Sequence, residues 1–178
     1  MVKHKIFISF YNNDEDYKIY LSDVLKDEYI NMSVDDGDYN PLNSDEYIKR
    51  LIREERVSNS SVIIVLIGEN TRYRKHVDWE IYAGLARSIN GASGLIGILL
   101  PTVLRNGYFY DPLCIPERLQ DNINSGYARL YTWNEFTKNY KYIIEQAFVD
   151  RVNKTHLIDN SRLQMKENEI AWQFLKLN

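Results

Sequence analysis

Six consecutive aliphatic residues, Val62-Ile63-Ile64-Val65-Leu66-Ile67, run without a polar interruption and stop at Gly68. A strand with one face in water alternates apolar and polar residues, and this run does not. It is also too short for a typical helix, so it predicts a strand buried on both faces, of the kind found in parallel sheets covered by helices. Leu95-Ile96-Gly97-Ile98-Leu99-Leu100, stopped by Pro101, repeats the pattern. Two such strands commit the chain to an α/β class.

The remaining segments alternate accordingly. Lys5 to Phe10 reads as a first strand, and Asp14 to Glu28 as a helix with Tyr17, Tyr20, Leu21, Val24 and Leu25 on one side and acids at its start. Ile30 to Val34 reads as a second strand, followed by turn chemistry in Asp35-Asp36-Gly37-Asp38. Asn43 to Arg56 forms a helix opened by an Asn43/Glu46 capping pattern, and Lys75 to Arg87 another, carrying Val77, Ile81 and Leu85. Thr102 to Gly126, with Pro112 and Pro116, reads as a long irregular stretch. Ala128 to Trp133 is the last strand and Tyr140 to Val152 a helix. A final helix is expected from a second capping pattern at Ser161/Gln164, with Leu163, Ile170, Phe174 and Leu177 in one stripe that needs a partner surface, in this chain or another copy. The sum is a doubly wound parallel five-stranded sheet flanked by helices, with a count that suits the flavodoxin-like order. The domain spans 1–153 and a C-terminal helical extension spans 154–178.

Composition excludes several classes. With 178 residues, one core is the natural content. A formal net charge of −3 argues against a sequence-independent nucleic-acid binder, which needs a basic surplus. The longest apolar runs are too short to cross a bilayer, and the N-terminus runs into a strand rather than a signal-peptide core. The expectation is a cytoplasmic protein without membrane or nucleic-acid partners. Cys114 is the single cysteine and reads as a buried or semi-buried bystander; the acids and histidines have no ligand-set spacing, so no metal is expected.

Ligands of open α/β sheets bind beyond the carboxyl ends of the strands. This selects Ser9, Phe10 and Tyr11 after the first strand, Asp35 and Asp36 after the second, and Gly68 to Thr71 with the following helix after the third. No G-x-x-x-x-G-K-[ST] or G-x-G-x-x-G loop is present, so P-loop and Rossmann hydride-transfer chemistry are not expected. A phosphoacceptor receiver also fails, because Phe10-Tyr11-Asn12 and Gly68-Glu69 stand where its acids belong. Glu80, beside Trp79 on an otherwise apolar helix, remains as a carboxylate suited to stabilising an oxocarbenium-like centre. Phe10, Tyr11 and Trp79 are aromatic surfaces on which a base or nicotinamide ring can stack. The bland alternative is a helix-dipole or salt-bridge glutamate.

Lys5 to Phe10 followed by an acidic helix start, Ser60 to Gly68, Thr71, and Val77-Asp78-Trp79-Glu80-Ile81 together resemble TIR and TIR-like domains. The subgroup is the bacterial TIR-like family that includes the signalling protein of the Thoeris anti-phage system, which Leu130-Tyr131-Thr132-Trp133 also resembles. The resemblance covers Lys5 to Val152. It implies cleavage of NAD⁺ as substrate, with no separate cofactor, by a catalytic Glu that falls on Glu80. It further implies a cyclic or conjugated ADP-ribose product, an effector protein activated by that product, and assembly into homo-oligomers. Ser9, Phe10, Tyr11, Asp35, Asp36, His76 and Trp79 fall around the implied pocket. His76 stands one turn before Glu80, where many TIR-like domains have Trp; it either tunes Glu80 or is a surface residue, and the surface reading is preferred. Two other functions stay open: a non-catalytic TIR-like interaction module, and a nucleoside deoxyribosyltransferase-like enzyme that uses a Glu nucleophile.

Overall fold

A computed structural model of the chain describes residues 3–32, 40, 42–86 and 91–169. Five parallel strands, β1 (Lys5–Ser9), β2 (Ile30–Asn31), β3 (Val62–Ile67), β4 (Gly94–Leu99) and β5 (Arg129–Thr132), lie in the order β2-β1-β3-β4-β5. This is the flavodoxin-like order. Its switch point falls between β1 and β3, where the chain first builds to one side and then to the other. The register there pairs Ile8 with Ile64 and Ser9 with Val65.

Every residue of β3 and β4 is buried, which is why their sequences do not alternate. Helices α2 (Asp45–Leu51), α3 (Lys75–Leu85) and α4 (Glu117–Asn124) cover one face, packing Ile48, Val77, Ile81, Leu85 and Leu119 against Phe7, Ile63 and Val65. Helices α1 (Glu15–Leu25) and α5 (Trp133–Asn153) cover the other, packing Leu21, Leu25, Phe136, Ile143 and Ile144 against Ile6, Ile8 and Ile64. A Cβ on Gly94 would stand 2.2 Å from the Ala147 carbonyl oxygen, so glycine is what lets α5 lie directly on β4.

Four elements differ from the sequence reading. The α5 helix begins at Trp133 rather than Tyr140. Thr132 and Glu135 form a reciprocal capping box there, with the Thr132 N–H donating to Glu135 Oε2 at 2.8 Å. Those bonds hold the Glu135 carboxyl below its ordinary range. Asn139, at φ −131°, breaks the helical phase just before Tyr140, so the first turn does not share the apolar period of the rest. The α2 helix is capped by Ser44, whose hydroxyl accepts from the Tyr47 N–H, one residue beyond the expected Asn43.

Within the stretch expected to be irregular, α4 forms but has no apolar stripe, because it buries Arg118 and Asn122 alongside Leu119. The expected final helix does not begin at Ser161. Residues 158–169 form a strap without regular secondary structure, and the Ser161 hydroxyl donates to Asp159 Oδ1 at 2.6 Å instead of capping a helix. Its residues 170–178 lie outside the described part, as do the 33–34 end of the second strand and the turn at Asp35 and Asp36. No described helix is long and apolar enough to cross a membrane.

Candidate functional site

Alternation along β1 decides which of its last side chains can meet α3. Phe7 belongs to the α2/α3/α4 core and Ile8 to the α1/α5 core, so Ser9 returns to the α3 side. There Ser9 Oγ donates to Glu80 Oε2 at 2.5 Å. Both residues are buried, Ser9 at 1% and Glu80 at 5% exposure, at the carboxyl end of β1 beside the switch point. A carboxyl group is thus withdrawn from bulk water and oriented by a hydroxyl in the crevice where this fold takes its ligands.

The other expected residues divide. Tyr11, in the loop beyond β1, is half-buried and stacks under the Arg74 guanidinium, whose carbon lies 3.8 Å from the ring centroid. Phe10 points to the opposite side of the sheet and packs against the α1/α5 core, with Lys18 Nζ 5.8 Å from its ring centre. Trp79 does not offer a ring face to a ligand. It is 1% exposed, its Nε1–H donates to the Met165 carbonyl at 2.8 Å, and Lys49 and Lys75 sit over its ring. Successive helical residues point about 100° apart, so a neighbour of Glu80 in sequence faces elsewhere. His76 is half-buried rather than a surface residue, its ring edge-on to Trp79 at 5.2 Å between centroids. Burial, and then the Lys75 charge, push its pKa down. Asp35 and Asp36 lie outside the described residues.

Sequence reasoning missed a second buried acid in the same crevice. Asp14 follows β1 and was expected only to meet the helix dipole. It is instead buried over Gly68, where a Cβ would fall 2.1 Å from its Oδ2. Thr71 Oγ1 donates to Asp14 Oδ2 at 3.4 Å and accepts from the Gly68 N–H at 2.9 Å. Burial raises the Asp14 pKa to about 6, the Thr71 bond opposes this, and the Glu69 charge adds to it. Between the unfolded value near 3.8 and the folded value, the folded state holds the extra proton, so stability contributed by neutral Asp14 is full below pH 4 and lost as pH rises through about 6. Asp14→Asn keeps an acceptor for Thr71 and carries no charge. Urea unfolding is expected to show the variant more stable than wild type at pH 8, by at most about 3 kcal/mol, and equal to it near pH 4. A pH-independent difference would remove this account.

The helix that carries Glu80 is held from its outer side. Asp78 is buried and paired with the buried Arg118 at 2.8 Å, and its second oxygen accepts from the Met165 N–H at 2.8 Å. Arg118 also donates to Asn160 Oδ1 and the Leu163 carbonyl, and Asn168 Oδ1 accepts from the Lys75 N–H at 2.9 Å. The strap therefore runs along α3 to its first turn. Among the described residues no group of three or more His, Cys, Asp or Glu is placed to hold a metal ion. Burial and the Asp111 charge push the Cys114 thiol up to about 11, leaving it protonated and a poor nucleophile at neutral pH.

What this arrangement suits is stabilisation of a cationic carbon by one buried carboxyl group held in place on a rigid helix. The family model described as Thoeris protein ThsB, TIR-like domain, matches residues 7–105, which include the last three residues of β1, all of β3 and α3, and both Ser9 and Glu80. Among solved structures, the TIR domains of the activated Roq1 resistosome directly recognizing the pathogen effector XopQ are similar at 13% identity and a TM-score of 0.40, over 88% of this chain and 84% of that one. A search of curated proteins gives no match.

Proposed function

The chain belongs to the family of TIR-like domains of the Thoeris protein ThsB, and from that membership we propose that it cleaves NAD⁺ to make an ADP-ribose signal in anti-phage defence. The observation that carries the reading is Glu80, 5% exposed and fixed by Ser9 Oγ at 2.5 Å beside the sheet's switch point. The bond between the ribose C1′ and the nicotinamide nitrogen breaks, and its electron pair leaves with nicotinamide. The positive charge that develops at C1′ and the ring oxygen is stabilised by the Glu80 carboxylate. Capture of C1′ by a nucleophile of the same nucleotide gives a cyclic product, and capture by a second molecule gives a conjugate. Either product then activates a separate effector protein. Tyr11, half-buried in the loop that follows β1, offers the ring face opposite Arg74 for stacking. NAD⁺ serves as substrate and no further cofactor is required.

The test is product mass in lysates of phage-infected cells expressing the protein, since infection supplies the trigger. Loss of NAD⁺ with release of nicotinamide and a new ADP-ribose species is expected. Intact NAD⁺ alongside soluble, folded protein would reject the reading, and consumption of free nucleosides would replace it with base exchange.

A further inference from the structure

Three cations crowd the four residues that lead into α3, and only two of them are matched. Arg72 donates to the Leu113 carbonyl at 2.8 Å and to Glu117 at 3.0 Å, and Lys75 pairs with Asp45 at 2.7 Å. Arg74, between them, makes no ion pair among the described residues, and its buried Nε has no hydrogen-bond partner. Its guanidinium carbon instead lies over the Tyr11 ring, 3.8 Å from the centroid. Stacking on an aromatic face fixes the plane of an arginine while leaving its N–H edge free to donate. A half-buried cation with an unmet donor is costly unless an anion completes it.

We propose that Arg74 is the phosphate-binding residue of this site, donating to the diphosphate of a dinucleotide whose ribose lies at Glu80. The proposal rests on the NAD⁺ reading for the identity of that dinucleotide. Arg74 precedes Glu80 by six residues, about 9 Å along a helix axis. Tyr11 stands two residues beyond Ser9, half-buried in the loop that follows β1. An anion at Arg74 is thus displaced from Glu80 toward the start of α3, as the diphosphate of a dinucleotide is displaced from its nicotinamide ribose. The planar guanidinium edge suits two oxygens of a phosphate better than an ammonium would.

Direct binding tests this without needing turnover or a trigger. ADP-ribose and adenosine are titrated against the full chain as wild type, Arg74→Gln, Arg74→Lys and Tyr11→Ala, with the unfolding midpoint of each recorded. Arg74→Gln is expected to weaken ADP-ribose roughly tenfold to a hundredfold and adenosine by less than twofold, with a lowered salt dependence. Arg74→Lys recovers part of the loss, and Tyr11→Ala shows a smaller loss of the same kind. ADP-ribose binding that is absent in wild type, unchanged in Arg74→Gln, or reduced equally with adenosine overturns the proposal. A protein that binds ADP-ribose through Arg74 yet leaves NAD⁺ intact keeps this inference and loses the cleavage reading. Cleavage with an unaltered KM in Arg74→Gln does the reverse.

Discussion

Glu80→Gln is expected to give a folded protein whose nicotinamide release from NAD⁺ falls by at least about a hundredfold, on the scale of removing one preorganised charge-stabilising group. The substitution is nearly isosteric, and its amide oxygen still accepts from Ser9 Oγ, so the bond seen at 2.5 Å has a substitute. What is removed is the negative charge facing the developing cation, and that charge acts in the transition state far more than in the bound ground state. The loss belongs in kcat, with KM little changed. Ser9→Ala keeps the charge and loses only its orientation, so a smaller drop, roughly tenfold, is expected. Initial rates of nicotinamide release, with unfolding midpoints as a control, check both. A Glu80→Gln enzyme within threefold of wild type would move the chemistry to another residue, and Asp14 would be the next to replace.

The geometry behind that expectation comes from three consecutive residues of α3. Asp78, Trp79 and Glu80 step round the helix by about 100° each and end in three different environments. Asp78 meets Arg118 and the strap, Trp79 meets Lys49, Lys75 and the Met165 carbonyl, and Glu80 meets Ser9. Two of the three are structural, and they hold the third. The Glu80 side chain is fixed by packing its neighbours rather than by contacts of its own alone.

Periodicity made the parallel sheet legible, because a strand buried on both faces has no other simple reading, and the switch-point rule led from it to Ser9 and Glu80. The same logic failed wherever burial is polar. Arg118 and Asn122 are as buried as any leucine, yet their burial depends on hydrogen bonds to the strap, more than 35 residues later, so α4 had no stripe to read. Ser161/Gln164 matched a capping pattern, but no helix follows for the Ser161 oxygen to cap, and its hydroxyl donates to Asp159 instead. Trp79 was misplaced because adjacency in sequence is not adjacency in space. Nothing in the sequence sets Arg74 apart from Arg72 and Lys75, and only the structure shows those two paired and Arg74 without an ion pair among the described residues. Asp14 resembled any acid at a helix start. The Gly68 backbone pressed against its carboxyl and the Thr71 hydroxyl bound to it distinguish it, and those contacts join the segments that follow β1 and β3.

The largest stability effect is expected at the buried pair that joins the strap to α3. Arg118 is 1% exposed and Asp78 4%, and the pair is completed by Met165, Asn160 and Leu163. Arg118→Met leaves the Asp78 carboxylate buried with its cation gone, and Asp78→Leu strands the guanidinium in the same way. Each single change is expected to cost about 3–5 kcal/mol, a large share of a typical domain's stability, and to lower the unfolding midpoint by roughly 10 °C. The double variant removes both charges together, so its loss should be well below the sum of the two, with a coupling on the order of 2 kcal/mol or more. Because Asp78 lies two residues before Glu80, the surviving folded fraction of either single variant should also release nicotinamide more slowly. Denaturant unfolding of the four proteins in this cycle reads the coupling directly. Additive losses would mean that the two side chains act independently, and single variants within 1 °C of wild type would mean that the strap does not depend on the pair.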